Sequence, residues 1–82
     1  MQNKSAKRGK MYKILNAEQV LAYLIRIIEN GLTELSEAEP TEFVIGEWYA
    51  YVECLEIICC WQKAKEYGLD YNPELKYALA KK

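Results

Sequence analysis

Histidine is absent from this 82-residue chain. Its absence removes the usual general base near neutral pH, the Ser-His and Cys-His nucleophile pairs and the commonest metal ligand. Serine occurs only at Ser5 and Ser36, neither beside a basic partner. No apolar run reaches the ~18 residues of a membrane span, because Glu47, Glu53 and Glu56 interrupt the most hydrophobic stretch. A basic N-terminus without a following apolar stretch and small-residue cleavage site is not a secretory signal. The four glycines are isolated, so no phosphate-cradling loop exists. Cys54, Cys59 and Cys60 form neither a CxxC redox motif nor a zinc signature. Without an export signal they read as reduced thiols of a cytoplasmic protein. No cofactor, metal or catalytic residue is expected, and the chain reads as non-enzymatic.

What is present describes a small folded body. Apolar residues make up 51% and charged residues 28%, the balance of a globular domain. A chain of this length buries only about 60% of its unfolded surface, so oligomerisation is a natural supplement. Seven Tyr and two Trp accompany a single Phe, a choice that suits partly exposed packing and interfaces. The net charge of −1 hides an asymmetry. Residues 1–13 carry Lys4, Lys7, Arg8, Lys10 and Lys13 and no acid, whereas residues 14–82 hold six cations and twelve carboxylates. The first 13 residues read as a flexible basic arm, with Met11 an alternative start to Met1, and residues 14–82 as one acidic domain.

Three helices are expected in that domain, at about 17–30, 42–67 and 73–80. Asn16 and Gln19 form a capping-box pattern, and Leu15 with Val20 a hydrophobic staple. Ala17, Val20, Leu21, Leu24, Ile25, Ile27 and Ile28 then share one face. Asn30-Gly31 followed by Leu32 has the look of a helix C-terminus, leaving residues 32–42 as an acidic linker closed by Pro40. Thr41 is the next N-cap, although Gly46 leaves open a later start at Glu47 and, if helical, permits close backbone approach. Tyr67-Gly68-Leu69 repeats the C-terminal signature. Asn72-Pro73 opens the third helix, whose apolar groups are Leu75, Tyr77 and Leu79.

The second helix is the unusual one. At about 100° per residue, Glu53, Glu56, Cys60 and Lys63 form one polar stripe, with Cys54 and Cys59 turned toward the apolar side. Trp48, Tyr51, Val52, Cys54, Leu55, Ile57, Ile58, Cys59, Trp61 and Ala64 sweep roughly 240° of apolar arc, far wider than the ~100° stripe of a surface helix. Such a helix needs cover on more than one side. The expected architecture is therefore all-α, a helical hairpin plus a short C-terminal helix, with two hairpins pairing into a dimeric four-helix bundle. Trp48, Tyr51, Leu55, Ile58 and Cys59 are the residues expected at that interface.

Phe43-Val44-Ile45-Gly46-Glu47 followed by Ala50-Tyr51-Val52-Glu53-Cys54-Leu55-Glu56-Ile57-Ile58 resembles a group of small helical proteins of Gram-positive bacteria and their mobile elements, to which no activity is assigned. The similarity extends through Gly68-Leu69-Asp70-Tyr71, roughly half the chain, and Trp48-Tyr49 departs from it. The resemblance implies a bacterial, intracellular setting and nothing about catalysis.

The reading that follows is a non-enzymatic helical interaction protein that pairs with itself or another protein through the second helix. The alternative is a nucleic-acid-associated accessory protein whose arm supplies phosphate contacts from Lys4, Lys7, Arg8, Lys10 and Lys13. A weaker third is a ligand-binding bundle with a Tyr-lined cavity.

Overall fold

The computed structural model describes residues 13–80. The arm, with Lys4, Lys7, Arg8 and Lys10, lies outside the described residues; Lys13 is exposed ahead of the first helix. The described residues form α1 (Ala17–Glu37), α2 (Glu42–Ile58), a 3₁₀ turn (Ala64–Tyr67) and α3 (Pro73–Lys76), with no strand among them.

α1 starts as its capping box dictates. Asn16 Oδ1 accepts from the Gln19 N–H at 2.8 Å, and Gln19 Oε1 accepts from the Asn16 N–H at 2.9 Å. It does not stop at Asn30-Gly31 but runs on to Glu37. Leu21, Ile25, Ile28, Leu32 and Leu35 continue one seam at alternating spacings of four and three, and Leu32 has no exposed surface. Ending at Asn30 would leave Leu32 and Leu35 out of that seam, and their burial outweighs the local stop signal. Gly31 serves packing instead: a Cβ there would lie 3.0 Å from Tyr51 Cε2. The expected linker shrinks to residues 38–41.

α2 begins under the Thr41 cap, whose hydroxyl accepts from the Val44 N–H, and passes through Gly46. A Cβ at that glycine would meet nothing within 4 Å, so no other part of the described chain approaches it there. The helix ends at Ile58, not Tyr67. A 21-residue α1 is about 31 Å long, whereas a helix from Glu42 to Tyr67 would be about 39 Å and overshoot it. The chain turns instead, through Cys60 N–H to Ile57 O and Trp61 N–H to Ile58 O. The turn brings Ala64 and Leu69 back into the core. Gly68 adopts φ 86°, and Leu69 N–H bonds to Ala64 O while Gly68 N–H bonds to Lys65 O. That is the expected Schellman pattern, closing a 3₁₀ turn rather than a long helix.

α3 is a single turn rather than reaching Ala80. Asn72 caps it as expected and Pro73 occupies its first position. The Tyr77 carbonyl accepts from Trp48 Nε1 at 2.7 Å, so it is engaged elsewhere instead of extending the helix. Tyr77 is consequently buried, while Leu75 stands in solvent.

The core joins Ile25, Ile28, Leu32 and Leu35 of α1 to Trp48, Val52, Leu55 and Ile58 of α2, closed by Ala64, Leu69 and Tyr77. This corrects the expected interface. Trp48, Leu55 and Ile58 are 8%, 0% and 9% exposed, covered by this chain's own α1 and C-terminal segment. Tyr51 and Cys59 pack half-buried at its edge. The half of the arc expected to meet a partner is the half that meets α1.

Candidate functional site

α2 carries a second apolar edge that nothing in the described chain covers. Phe43, Ala50 and Ile57 recur every seven residues, about 140° around the helix from the core seam, with Gly46 and Cys54 between them. Phe43 is 74% and Ile57 72% exposed, and Gly46, Ala50 and Cys54 are exposed as well. Cys54 therefore faces solvent, not the core as its position in the apolar arc suggested. α1 has a matching edge: Val20, Leu24 and Ile27, one residue ahead of its core seam and 40–54% exposed.

The two edges lie on the same side of the hairpin. Gly31 continues the Val20-Leu24-Ile27 stripe, and the Tyr51 ring rests against it. Tyr51 in turn sits between the core seam and the outer edge of α2. The result is a face spanning both helices on which two exposed apolar stripes are separated by Tyr51 and the exposed Glu47.

The opposite side is closed by residues 61–80. Lys63 Nζ lies 3.0 Å from Glu18 Oε1, and the Tyr67 hydroxyl donates to the other oxygen of the same carboxylate. Tyr71 OH donates to Glu29 Oε2 at 2.6 Å, with Lys76 Nζ 4.2 Å from the Tyr71 ring centroid. Trp61 stacks on Tyr67 at 5.3 Å. The hydrogen bond from Tyr67, then that from Lys63, holds Glu18 below the usual carboxylate range. The same contacts with Glu18 push Tyr67 and Lys63 up. Burial foremost, then the bond to Glu29, raises Tyr71 well above an ordinary phenol.

None of these latches is visible in the sequence, since the partners are 42 to 49 residues apart. Lys63, expected on a stripe with Glu53, Glu56 and Cys60, is carried away from it by the turn at Cys59. Cys60 is exposed and its thiol lies 3.7 Å from the Glu56 carbonyl. Burial pushes the half-buried Cys59 thiol up, which keeps it protonated and a poor nucleophile. A groove of about 520 Å³ beside α3, lined by Glu56, Cys59, Lys65, Asp70, Tyr71 and Pro73, is open to solvent. Its most shifted group, the Tyr71 phenol, is already engaged by Glu29.

What the outer face can do chemically is bury apolar surface. At their exposures Val20, Leu24, Ile27, Phe43 and Ile57 offer roughly 500 Å², within the ~300–600 Å² of a monomer's largest patch and below the ~800 Å² per partner of a standard stable complex. No described helix is long and apolar enough to cross a membrane. No family model, curated protein or solved structure matches this chain.

Proposed function

We propose that this chain is a small non-catalytic interaction protein whose outer α1–α2 face takes up a helix of another polypeptide chain, completing a three- or four-helix bundle. One observation carries the reading: Phe43 and Ile57 stand uncovered on the edge of α2 opposite its core, while Val20, Leu24 and Ile27 of α1 are uncovered as well. Stripes at alternating spacings of three and four are the seams that helices use to pack on one another. The small residues Gly46, Ala50 and Cys54 leave a shallow channel between Phe43 and Ile57 in which an arriving helix can lie close.

A second reading makes the arriving helix α2 of another copy. The stripe reads alike in both directions from Ala50: Phe43 and Ile57 lie seven residues either side, Gly46 and Cys54 four. Antiparallel pairing about a two-fold axis at Ala50 sets Phe43 against Ile57 of the second copy. This keeps the dimeric four-helix bundle, with interface residues different from those first expected.

The test is light scattering after size exclusion in reducing buffer, followed by titration with a designed amphipathic helix, on wild type and on the double variant Phe43→Ser/Ile57→Ser. Both side chains are exposed in the single chain, so the variant keeps its fold and its circular dichroism. A dimer, or a peptide complex, that the variant loses supports the reading. A wild-type monomer that takes up no helix overturns it.

A further inference from the structure

The borders of the α2 stripe on the outer face carry charge of one sign. Glu47 and Glu53 flank the Phe43-Ala50-Ile57 stripe, each about 60° from its centre on the helix circumference. Glu34 continues the α1 stripe one turn beyond Gly31. All three are exposed. Between residues 27 and 62 the chain has eight glutamates and no lysine or arginine, so no cation lies on the half of the hairpin that carries Phe43 and Ile57. Of the described cations, Lys63 holds Glu18 and Lys76 lies against Tyr71; Lys13 and Lys65 lie outside α1 and α2, and Arg26 is exposed on α1 about 130° around the helix from the Val20-Leu24-Ile27 stripe.

We infer that the occupant of this face is a cationic amphipathic helix: an apolar stripe at helical spacing flanked by lysine or arginine. The inference rests on the docking reading above and names its partner. Apolar burial supplies the contact, and the glutamate rims select the sign of the flanks, because like charges brought together at an interface rim suppress the wrong partner. The same rims weigh against a second copy. A two-fold axis at Ala50 brings the edge carrying Glu47 against its equivalent, and likewise the edge carrying Glu53, with no cation on either helix to offset them.

Two designed helical peptides of about five turns test this. They share one leucine stripe and differ only in flanks, lysine in one and glutamate in the other. Titration calorimetry with the full chain at low salt is expected to show the lysine peptide binding at least about tenfold tighter, the preference shrinking as salt rises toward ~0.5 M. Glu47→Gln/Glu53→Gln is expected to cut the lysine preference several-fold while the glutamate peptide gains. Phe43→Ser/Ile57→Ser, which leaves the rim charge intact, is expected to abolish binding of both.

Equal affinities for the two peptides overturn the cationic partner and leave the docking face standing. So does a wild-type dimer that forms tightly at low salt and excludes the lysine peptide. Lysine-peptide binding that survives Phe43→Ser/Ile57→Ser also overturns it, as attraction to acidic surface at large. Failure of both peptides with no dimer overturns the docking reading itself.

Discussion

The two sides of the α1–α2 hairpin meet opposite fates. On one side the chain doubles back and pins itself down with polar latches: Lys63 and Tyr67 on Glu18, Tyr71 on Glu29, and Trp48 Nε1 on the Tyr77 carbonyl. On the other, Val20, Leu24, Ile27, Phe43 and Ile57 remain open, with no polar latch among them. Residues 61–80 bring Ala64, Leu69 and Tyr77 into the core and pack Trp61, Tyr71 and Leu79 against it, and the hydrogen bonds fix where that segment lies. An apolar surface can be covered weakly and specifically by a tethered tail, or left for a partner that brings its own apolar area.

The sharpest way to break the comparison is to truncate one residue on each side of α2. Leu55 has no exposed surface and Ile57, two residues on, is 72% exposed. Leu55→Ala is expected to cost about 2–5 kcal/mol, since it removes buried methyl groups and leaves a cavity. Ile57→Ala is expected to fall within about 0.5 kcal/mol of wild type in the monomer. Urea unfolding of the two variants at one protein concentration decides it. Comparable losses would mean that Ile57 is already covered, by a second copy or by residues outside 13–80.

A smaller and local effect is expected from pH. Glu18 is held below its ordinary value, so its contribution is present at neutral pH and is lost as acid carries the pH down through its lowered folded value. Tyr67, Lys63 and Tyr71 are raised; their contributions are present at neutral pH and are lost as the pH climbs past their ordinary values, 10.0 for the phenols and 10.5 for the ammonium, and through their folded values. The latched side is therefore expected to loosen at both extremes while the hairpin seam, apolar throughout, persists. Tryptophan fluorescence should report the loosening, because Trp61 stacks on Tyr67 and Trp48 bonds to Tyr77. Far-ultraviolet circular dichroism should lag behind it. The exposed Lys63–Glu18 pair is screened by solvent and adds little by itself. Glu18→Gln should abolish most of the acid response at the Trp61 end and spare the Tyr71–Glu29 latch. Coincident transitions by both probes would mean that the tail and the hairpin unfold as one unit.

Much of this fold is legible in the sequence wherever the signal is local. Asn16 with Gln19, Thr41, Asn72-Pro73 and Gly68-Leu69 all mark true element ends, because a cap is a contact between residues three to five apart. The over-wide apolar arc of α2 is also legible, and the structure does leave part of it open. What is not legible is where each helix stops when a distant partner decides. Asn30-Gly31 has every local mark of a terminus, yet Tyr51 needs the glycine and Leu32 and Leu35 need the helix to continue. That α2 stops short of Tyr67 follows from the length of α1, a quantity that the residues around Ile58 do not carry. From that one misplaced end came the misplaced Lys63; the half of the arc that meets α1 is set by contacts across the hairpin, which the residues of α2 alone do not carry.

The finest test compares the two helical glycines, because one lies under the face and one upon it. Gly46 has open space where a Cβ would go, and glycine in a helix interior costs about 0.5–1 kcal/mol relative to alanine. Gly46→Ala is therefore expected to stabilise the single chain by about that amount. Gly31 sits in a helix too, but its Cβ would lie 3.0 Å from Cε2 and 3.3 Å from Cζ of Tyr51. The propensity gain at Gly31→Ala is thus offset by displacement of the ring that lies between the two apolar edges. Gly31→Leu, which the ring cannot accommodate by a small shift, is expected to cost about 1–3 kcal/mol as overpacking. If the chain works by docking a helix over Gly46, the stability gain of Gly46→Ala comes with weaker binding, since the added methyl stands in the channel between Phe43 and Ile57. A variant more stable to urea and unchanged in peptide affinity would put the arriving helix along the Val20-Leu24-Ile27 edge instead, with α2 contributing only Phe43 and Ile57 from its ends.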